Sequence, residues 1–124
     1  MGSEKGRVNE LGEACVMIKL TCGQSIECVI DTGFSGGLMF PRNLITQIPY
    51  FEIGKETFTL AGGGEMKADL VAVEASWMNA VNSFAVVISE ASDALIGTDM
   101  LKGTVLVIDY ITSEVEIKNG KEIQ

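Results

Sequence analysis

Apolar and polar residues alternate along much of this chain with the period of two that is typical of β-strands. The clearest case is a pair of apolar-rich runs, Ala14–Leu20 and Ser25–Ile30, which are separated by the tetrapeptide at 21–24. Gly23 in that tetrapeptide can supply the positive φ of a tight hairpin turn. The pattern therefore predicts a β-hairpin whose second strand ends immediately before Asp31.

The remaining segments predict further short strands. A second hairpin is predicted over 57–60 and 66–73, and its tip at 61–65 is rich in glycine. Other strands are predicted at 71–77, 83–88, 104–109 and 114–118, with turns at 79–82 and 110–113. Seven or eight short strands of this kind predict an all-β barrel or sandwich.

Helical signals are few and short. Pro41 suits the first turn of a brief helix over 42–47. A second helical turn is predicted just after Gly97, where Thr98 or Asp99 can provide the cap. We therefore expect one or two short helices.

The length of 124 residues fits one domain and is too short for two ordinary ones. We place this domain at residues 14–124. The segment before it is polar and begins Met1-Gly2-Ser3, which is typical of a cloning remnant. We therefore expect residues 1–13 to be a flexible N-terminal segment or a tag remnant.

Composition excludes several classes of protein. Apolar residues make up 47% of the chain and charged residues 21%, as in folded domains, and no apolar run approaches the roughly 18 residues of a membrane span. The net charge of −8 disfavours a nucleic acid partner. The N-terminus has no apolar stretch that could serve as a signal peptide, so we expect a cytoplasmic protein with no membrane partner.

The chain contains no histidine, which removes Ser-His and Cys-His nucleophile pairs, histidine-ligated zinc and histidine general bases together. Its three cysteines, at 15, 22 and 28, match neither a zinc knuckle nor a secreted disulfide framework and are interpreted as core thiols. Any catalysis must therefore use carboxylates, Lys, Tyr, Thr or the backbone.

Three motifs in order suggest what that chemistry is. Asp31, Thr32 and Gly33 follow an apolar strand, and an Asp-Thr-Gly string alone is a weak signal. About thirty residues later comes the glycine-rich tip with Ala61, Gly62, Gly63 and Gly64. About thirty residues beyond that, Leu95, Ile96 and Gly97 lead into the predicted helical turn.

In this order and at these separations, the motifs over residues 14–118 make the chain resemble the single-domain retropepsin-like aspartic peptidases (aspartyl proteases). The resemblance implies a closed β-barrel, the acid-protease fold, with a glycine-rich flap hairpin. It also implies an enzyme that cleaves peptide or protein substrates as a homodimer, without a metal or organic cofactor. In this family, strands from the chain ends, here 9–15 and 114–123, interleave across the dimer.

The resemblance also assigns roles to residues. Asp31 is the catalytic carboxylate, the hydroxyl of Thr32 reaches across the dimer axis, and Gly33 lets backbone approach the substrate. The flap at 61–64 closes over the substrate, and the segment at 95–97 packs behind the catalytic loop.

The chemistry of paired carboxylates agrees with this assignment. Two carboxylates about 3 Å apart cannot both ionise easily, so they share one proton and can act as an acid and a base together. The chain has a single Asp-Thr-Gly, so the second carboxylate must be Asp31 of another copy. Dimerisation is then part of the catalytic mechanism.

Two departures from the family pattern keep alternatives open. Phe34 stands where these peptidases usually carry a small residue, and its ring either turns into the core or lines the substrate cleft. An Arg and Asp that form an ion pair in many retropepsins are replaced by Thr98 and Ser35. The alternatives are therefore a catalytically silent retropepsin-like module for dimerisation or peptide binding, and an unrelated β-barrel binding protein in which Asp31 merely occupies a turn.

Overall fold

Ten strands and two one-turn helices make up the residues that the computed structural model describes, 2–59 and 62–120. The strands are β1 Ser3–Val8, β2 Ala14–Leu20, β3 Ser25–Ile30, β4 Leu38–Pro41, β5 Phe51–Thr59, β6 Glu65–Trp77, β7 Ala80–Ser89, β8 Ala94–Ile96, β9 Thr104–Asp109 and β10 Glu114–Asn119. The helices are α1 Arg42–Ile45 and α2 Thr98–Leu101. No helix in these ranges is long and apolar enough to cross a membrane.

Six of the strands close into a barrel. Hydrogen-bonded neighbours run β6-β7-β4-β8-β3-β2, and a further pairing of β6 with β2 joins the two ends. Side chains from the inner faces of these strands fill the barrel, and they include Val16, Ile18, Leu38, Phe40 and Ile96, each 1% exposed or less. The predicted closed β-barrel is thus confirmed.

The first predicted hairpin forms with the predicted bounds. In β2, Ile18 is buried whereas Met17 and Lys19 are exposed, so the alternation in the sequence marks the inner face of the barrel. Gly23 has the expected positive φ of 101°, and its N–H donates to the carbonyl of Leu20 at 3.0 Å. This hairpin delivers Asp31 to the end of β3.

The hairpin between β6 and β7 is tighter than the sequence predicted. Strand β6 continues without interruption to Trp77, which pairs with Ala80. Only Met78 and Asn79 form the turn, with φ values of 51° and 65°. Two consecutive positive φ values define the two-residue turn that matches strand twist, so the expected turn at 79–82 is wrong.

The N-terminal prediction is also wrong for Ser3–Val8, which form β1 and are not a flexible segment. This strand pairs on one side with β2 and on the other with β10. Gly6 makes the close approach possible, because a Cβ atom there would lie 1.9 Å from the carbonyl oxygen of Cys15. The folded domain therefore begins well before residue 14.

The two terminal strands are paired within the chain. Strand β10 lies between β1 and β9, and β1 lies between β10 and β2. Strand β10 therefore has no free edge at which a strand from another copy could interleave. Within 9–15 the only strand residues are Ala14 and Cys15 of β2, which lies between β1 and β3. The interleaving expected of 9–15 and 114–123 does not fit the described part of these segments. Residues 121–123 lie outside the described ranges.

Candidate active site

Asp31 lies at the end of β3, held by the neighbouring strand β8. Strands β3 and β8 run parallel, with Ile30 opposite Ile96. The main-chain N–H of Asp31 donates to the carbonyl of Ile96 at 2.9 Å and so extends the ladder by one residue. The backbone of Asp31 is therefore a continuation of the barrel wall, although its side chain is partly exposed.

The carboxylate of Asp31 is oriented by the loop that follows it. The N–H of Gly33 donates to Oδ1 of Asp31 at 2.9 Å, and the N–H of Phe34 donates to the Asp31 carbonyl at 3.1 Å. A Cβ atom on Gly33 would lie 3.2 Å from the same Oδ1, so glycine keeps this turn tight. Thr32 and Gly33 are both exposed.

Asp31 has no acid or base partner among the described residues of its own chain. Across residues 2–59 and 62–120, no ion pair includes Asp31, and its one side-chain hydrogen bond is the bond from Gly33. An oriented carboxylate at the surface can accept a proton or a hydrogen bond from a bound molecule. It cannot supply both an acid and a base at once.

The segment after β8 packs against the loop at 31–37, which is the predicted catalytic loop. Strand β8 lies between β3 and β4, and its extension continues the contact through Gly97, whose N–H donates to the carbonyl of Gly37 at 2.8 Å. The first turn of α2 then bonds the loop twice: Thr98 donates to the Phe34 carbonyl at 2.9 Å and Asp99 donates to the Gly36 carbonyl at 3.1 Å. The Asp-Thr-Gly loop and the segment at 95–97 are thus brought together, with Leu95 partly and Ile96 fully buried.

The surroundings of Gly97 leave no space for a side chain. A Cβ atom there would lie 2.2 Å from the carbonyl oxygen of Gly36 and 2.5 Å from that of Phe34. Both contacts are with backbone of the catalytic loop, which cannot move aside without breaking the bonds just described. The close approach of α2 to the loop therefore depends on glycine at this position.

The ring of Phe34 covers the same glycines. A Cβ atom at Gly97 would lie 2.6 Å from Cδ2 of the ring, and one at Gly36 would lie 2.6 Å from its Cζ. The ring is therefore packed along the loop's own backbone, and part of it stays exposed. The sequence left open a ring turned into the core or a ring lining the substrate cleft, and the structure shows a partly exposed ring packed on the backbone of its own loop.

The residues in place of the missing ion pair contribute backbone only. Ser35 is exposed, and Thr98 holds the loop through its N–H. The prediction that Thr98 or Asp99 caps α2 is wrong, because the N-cap residue is Gly97 and no side chain caps the helix. Asp99 lies inside the helix, where its carboxylate pairs with Lys102 at 2.9 Å.

The predicted flap tip lies at the exposed end of a hairpin. Strands β5 and β6 form the hairpin that carries it, and Gly62, Gly63 and Gly64 are all exposed. A Cβ atom at Gly62 or Gly63 would meet nothing within 4 Å, and Gly63 has a φ of 88°. Ala61, the other predicted flap residue, lies outside the described residues.

A charged cluster at the base of this hairpin was not foreseen from the sequence. Asp69 on β6 accepts from Lys55 on β5 at 2.9 Å and lies 3.6 Å from the guanidinium of Arg42 on α1. Arg42 in turn donates to Glu90, after β7, at 2.7 Å. The hydrogen bond from Lys55, and secondarily Arg42, holds the pKa of Asp69 below its ordinary value.

This cluster ties the flap hairpin to α1 and to the end of β7. A concavity of about 430 Å³ opens beside it, lined by Tyr50, Leu70 and Ile88 together with the charged groups. These residues are far apart in the chain, so no local pattern in the sequence could have shown the cluster.

Comparisons with known proteins bear on the fold. No family model matches the sequence, and no curated protein matches it. Among solved structures, the chain is similar to the crystal structure of a retropepsin-like aspartic protease from Rickettsia conorii. The match has a TM-score of 0.62 and 14% sequence identity, and it covers 94% of this chain and 90% of the other.

This similarity extends over nearly the whole of both chains. The chain therefore has the fold of a retropepsin-like aspartic protease, which confirms the predicted fold class. At 14% identity the match carries the fold alone, and function has to be argued from the site.

Proposed function

We propose that this chain is an aspartic endopeptidase that acts as a homodimer, with one Asp31 from each copy in a single active site. The observation that carries the proposal is the carboxylate of Asp31. It is oriented by the N–H of Gly33, on a backbone braced by β8 and α2, and it has no acid or base partner among the described residues of its own chain. A fold similar to that of a retropepsin-like aspartic protease supports the same reading.

In the proposed mechanism the two Asp31 carboxylates share one proton and hold a water molecule between them. The ionised carboxylate takes a proton from the water as the oxygen attacks the carbon of the scissile carbonyl, and the neutral one donates its proton to the carbonyl oxygen. The tetrahedral intermediate then collapses. As the C–N bond breaks, the carboxyl group that took the water proton donates it to the amine nitrogen, and the other carboxylate, now ionised, takes a proton from a hydroxyl of the intermediate as the carbonyl forms again. The products are a carboxylic acid and an amine, and no covalent enzyme intermediate forms.

The residues around the two Asp31 carboxylates have supporting roles. Thr32, exposed beside Asp31, would contact the second copy across the axis, and the turn through Gly33 leaves backbone accessible to substrate. The hairpin tip at 62–64 would close over a bound peptide and exclude water. The segment at 95–97 has a supporting role behind the loop.

The second candidate is a catalytically silent module of the same fold that dimerises or binds peptides. The partly exposed ring of Phe34 favours it, because a bulky side chain beside the two carboxylates can narrow the space for a substrate. The two candidates share the fold and differ in whether Asp31 works as an acid and base.

The direct test compares the native chain with Asp31→Asn on a peptide library between about pH 4 and pH 7. Because acid and base catalysis contributes about 100-fold or more, we expect Asp31→Asn to abolish detectable cleavage with the fold intact. Glu10→Gln is a matched control: it removes an exposed carboxylate in a turn and should cleave normally. Full activity in Asp31→Asn would contradict the proposal.

Inhibitor binding separates the two candidates when cleavage is weak. Statine compounds mimic the tetrahedral intermediate and should raise the melting temperature of the native chain, since binding at about 100 times Kd stabilises by about 2.7 kcal/mol. The shift should be lost in Asp31→Asn. No shift and no cleavage in the native chain would favour the silent module.

A further inference from the structure

The sheet has two free edges in the described residues. The order of strands begins at β5 and ends at β9, whereas the strands between them have neighbours on both sides. A free edge exposes unpaired main-chain N–H and C=O groups, which can pair with another strand. The two edges differ in how they are protected.

The β5 edge carries the features that prevent strand pairing. Its register shifts between Glu52 and Gly54, where a bulge interrupts the ladder, and Gly54 has a φ of 134°. Charged side chains of Lys55 and Glu56 follow directly. A bulge and charges on an edge are the common protections against edge-to-edge association.

The β9 edge is less protected, because its single charged residue, Asp109, is the last residue of the strand. Its register with β10 is continuous from Thr104 to Asp109, without a bulge. The four residues from Val105 to Ile108 are all apolar. On the outer face Val105 and Val107 are 38% and 44% exposed, whereas Leu106 packs against the core from the other face.

Strand β9 is also close to the candidate active site along the chain. Only Lys102 and Gly103 separate it from α2, and α2 contacts β9. The first turn of α2 bonds the catalytic loop through Thr98 and Asp99. Strand β9 therefore directly follows, along the chain, the helical turn that bonds the loop holding Asp31.

We propose that β9 pairs antiparallel with β9 of a second copy and that this joint brings the two Asp31 loops together. This inference rests on the proposed function, because it identifies the surface through which the incomplete site is completed. Since the inner strands β1 and β10 keep their partners, the two copies form one continuous sheet. Its centre is a pair of β9 strands.

Symmetry makes the pairing specific. Antiparallel strands related by a two-fold axis have that axis normal to the sheet, so residues that face each other lie on the same face. With the axis at Leu106, Val105 of one copy faces Val107 of the other. Asp109 lies beyond the paired segment, opposite Gly103 of the second copy, so no like charges meet although the chain carries a net charge of −8.

The first test replaces both exposed valines by lysine. Val105→Lys/Val107→Lys places two pairs of cations opposite each other across the axis. We expect the dissociation constant of the dimer to rise at least tenfold, with a matching loss of peptidase activity at micromolar concentration. The matched control is Ile53→Lys, an exposed apolar residue on the β5 edge, which should keep the mass of the native dimer. Sedimentation analysis gives the mass, and circular dichroism checks the fold.

A cysteine variant provides a second test, which does not depend on whether the fold tolerates lysine at positions 105 and 107. In a Cys22→Ser background, which removes the exposed native thiol, Val105→Cys/Val107→Cys should form a disulfide-linked dimer under mild oxidation for an axis at Leu106 or Val107. Ile53→Cys in the same background should stay uncrosslinked. Cross-linking of Ile53→Cys in place of the β9 variant would overturn the inference.

The outcomes separate this inference from the proposed function. A native dimer whose mass and activity are unchanged by the β9 lysines would overturn the β9 interface while leaving the paired Asp31 mechanism standing. A native chain that is a strict monomer and cleaves peptides would contradict both. A dimer that the β9 lysines dissociate, but that cleaves nothing, would support the interface and favour the silent module.

Discussion

The catalytic loop and the flap tip are both rich in glycine, yet glycine has a different role in each. Gly97, which packs against the loop, is required by its neighbours, since a Cβ atom there would lie 2.2 Å from the carbonyl oxygen of Gly36. In the tip, a Cβ atom on Gly62 would meet nothing within 4 Å. The same residue type therefore permits close packing at one place and leaves an exposed turn at the other.

The difference suggests a division of labour. Asp31 is bonded by β8 and by its own turn, and α2 bonds the loop that follows at Phe34 and Gly36. The flap hairpin is linked to α1 midway along its length, where Asp69 pairs with Arg42, and it is exposed at its tip. This is the arrangement that a rigid catalytic platform beneath a movable cover would need.

The largest expected effect on stability comes from Gly97, which packs against the loop that holds Asp31. Gly97→Ala should lower the free energy of unfolding by about 3 kcal/mol, because the new methyl group meets backbone that cannot move aside. Gly62→Ala, the matched change in the flap tip, should change it by about 0.5 kcal/mol or less. Urea unfolding measures both, and equal losses in the two variants would break the comparison.

The next largest effect on stability is expected from the ring of Phe34, which covers the glycines of this loop. Phe34→Ala should cost about 2 kcal/mol of stability, less than for a fully buried ring because Phe34 is partly exposed. If the ring narrows the cleft, the variant should also accept bulkier peptides, which a comparison of kcat/KM across a peptide library would show. A variant of unchanged stability would mean that the ring does not support the loop.

A smaller effect is expected from the one flap glycine with left-handed backbone. Gly63→Ala forces a side chain into a φ of 88° and should cost about 1 kcal/mol. Because the tip is exposed, we expect the change to alter KM for peptides more than the melting temperature. Asn at this position tolerates positive φ, so Gly63→Asn should recover most of the loss.

The smallest effect on stability at neutral pH is expected from ionisation of the Cys28 thiol. Cys28 lies on β3 inside the barrel. Burial raises the pKa of its thiol to about 12 from an ordinary 9.0. The unfolded chain therefore loses this proton above about pH 9 while the folded chain keeps it, so stability is complete below pH 9 and falls between 9 and 12. In Cys28→Ala this alkaline loss should be reduced, as unfolding measured at pH 8 and pH 10 would show.

Chemical labelling tests directly whether Cys28 is buried and Cys22 exposed. At pH 8 iodoacetamide should label the exposed Cys22 and leave the buried Cys28 unmodified in the folded chain. Mass spectrometry of the intact and digested protein checks this. Rapid labelling of Cys28 would show that the barrel beneath the loop opens readily.

Local patterns predicted those parts of the fold whose signals are local. The strands β2, β3 and β9 were predicted with their observed bounds because apolar residues mark them. Strand β1 was not, because Ser3–Val8 is mostly polar and is a strand only by virtue of neighbours on both sides. The positive φ of Met78 is likewise a property of the tight turn and not of the residue type.

The candidate site divides in the same way. The order of motifs predicted that Asp31 and the segment at 95–97 belong to one site, and the structure places them in contact. It could not predict that the ring of Phe34 packs over Gly97, or that Arg42 links Asp69 to Glu90. Such contacts join residues far apart in the chain, and only the closed barrel brings them together.

The central claim is that one active site needs two Asp31 side chains, and subunit mixing tests it most directly. Native chain and Asp31→Asn are mixed in equal amounts, unfolded, refolded together and assayed for peptide cleavage at constant total concentration. Random pairing leaves about one quarter of the dimers with two Asp31 residues, so the account predicts about one quarter of the native activity. A value of about one half would mean that each chain works alone, and would contradict it.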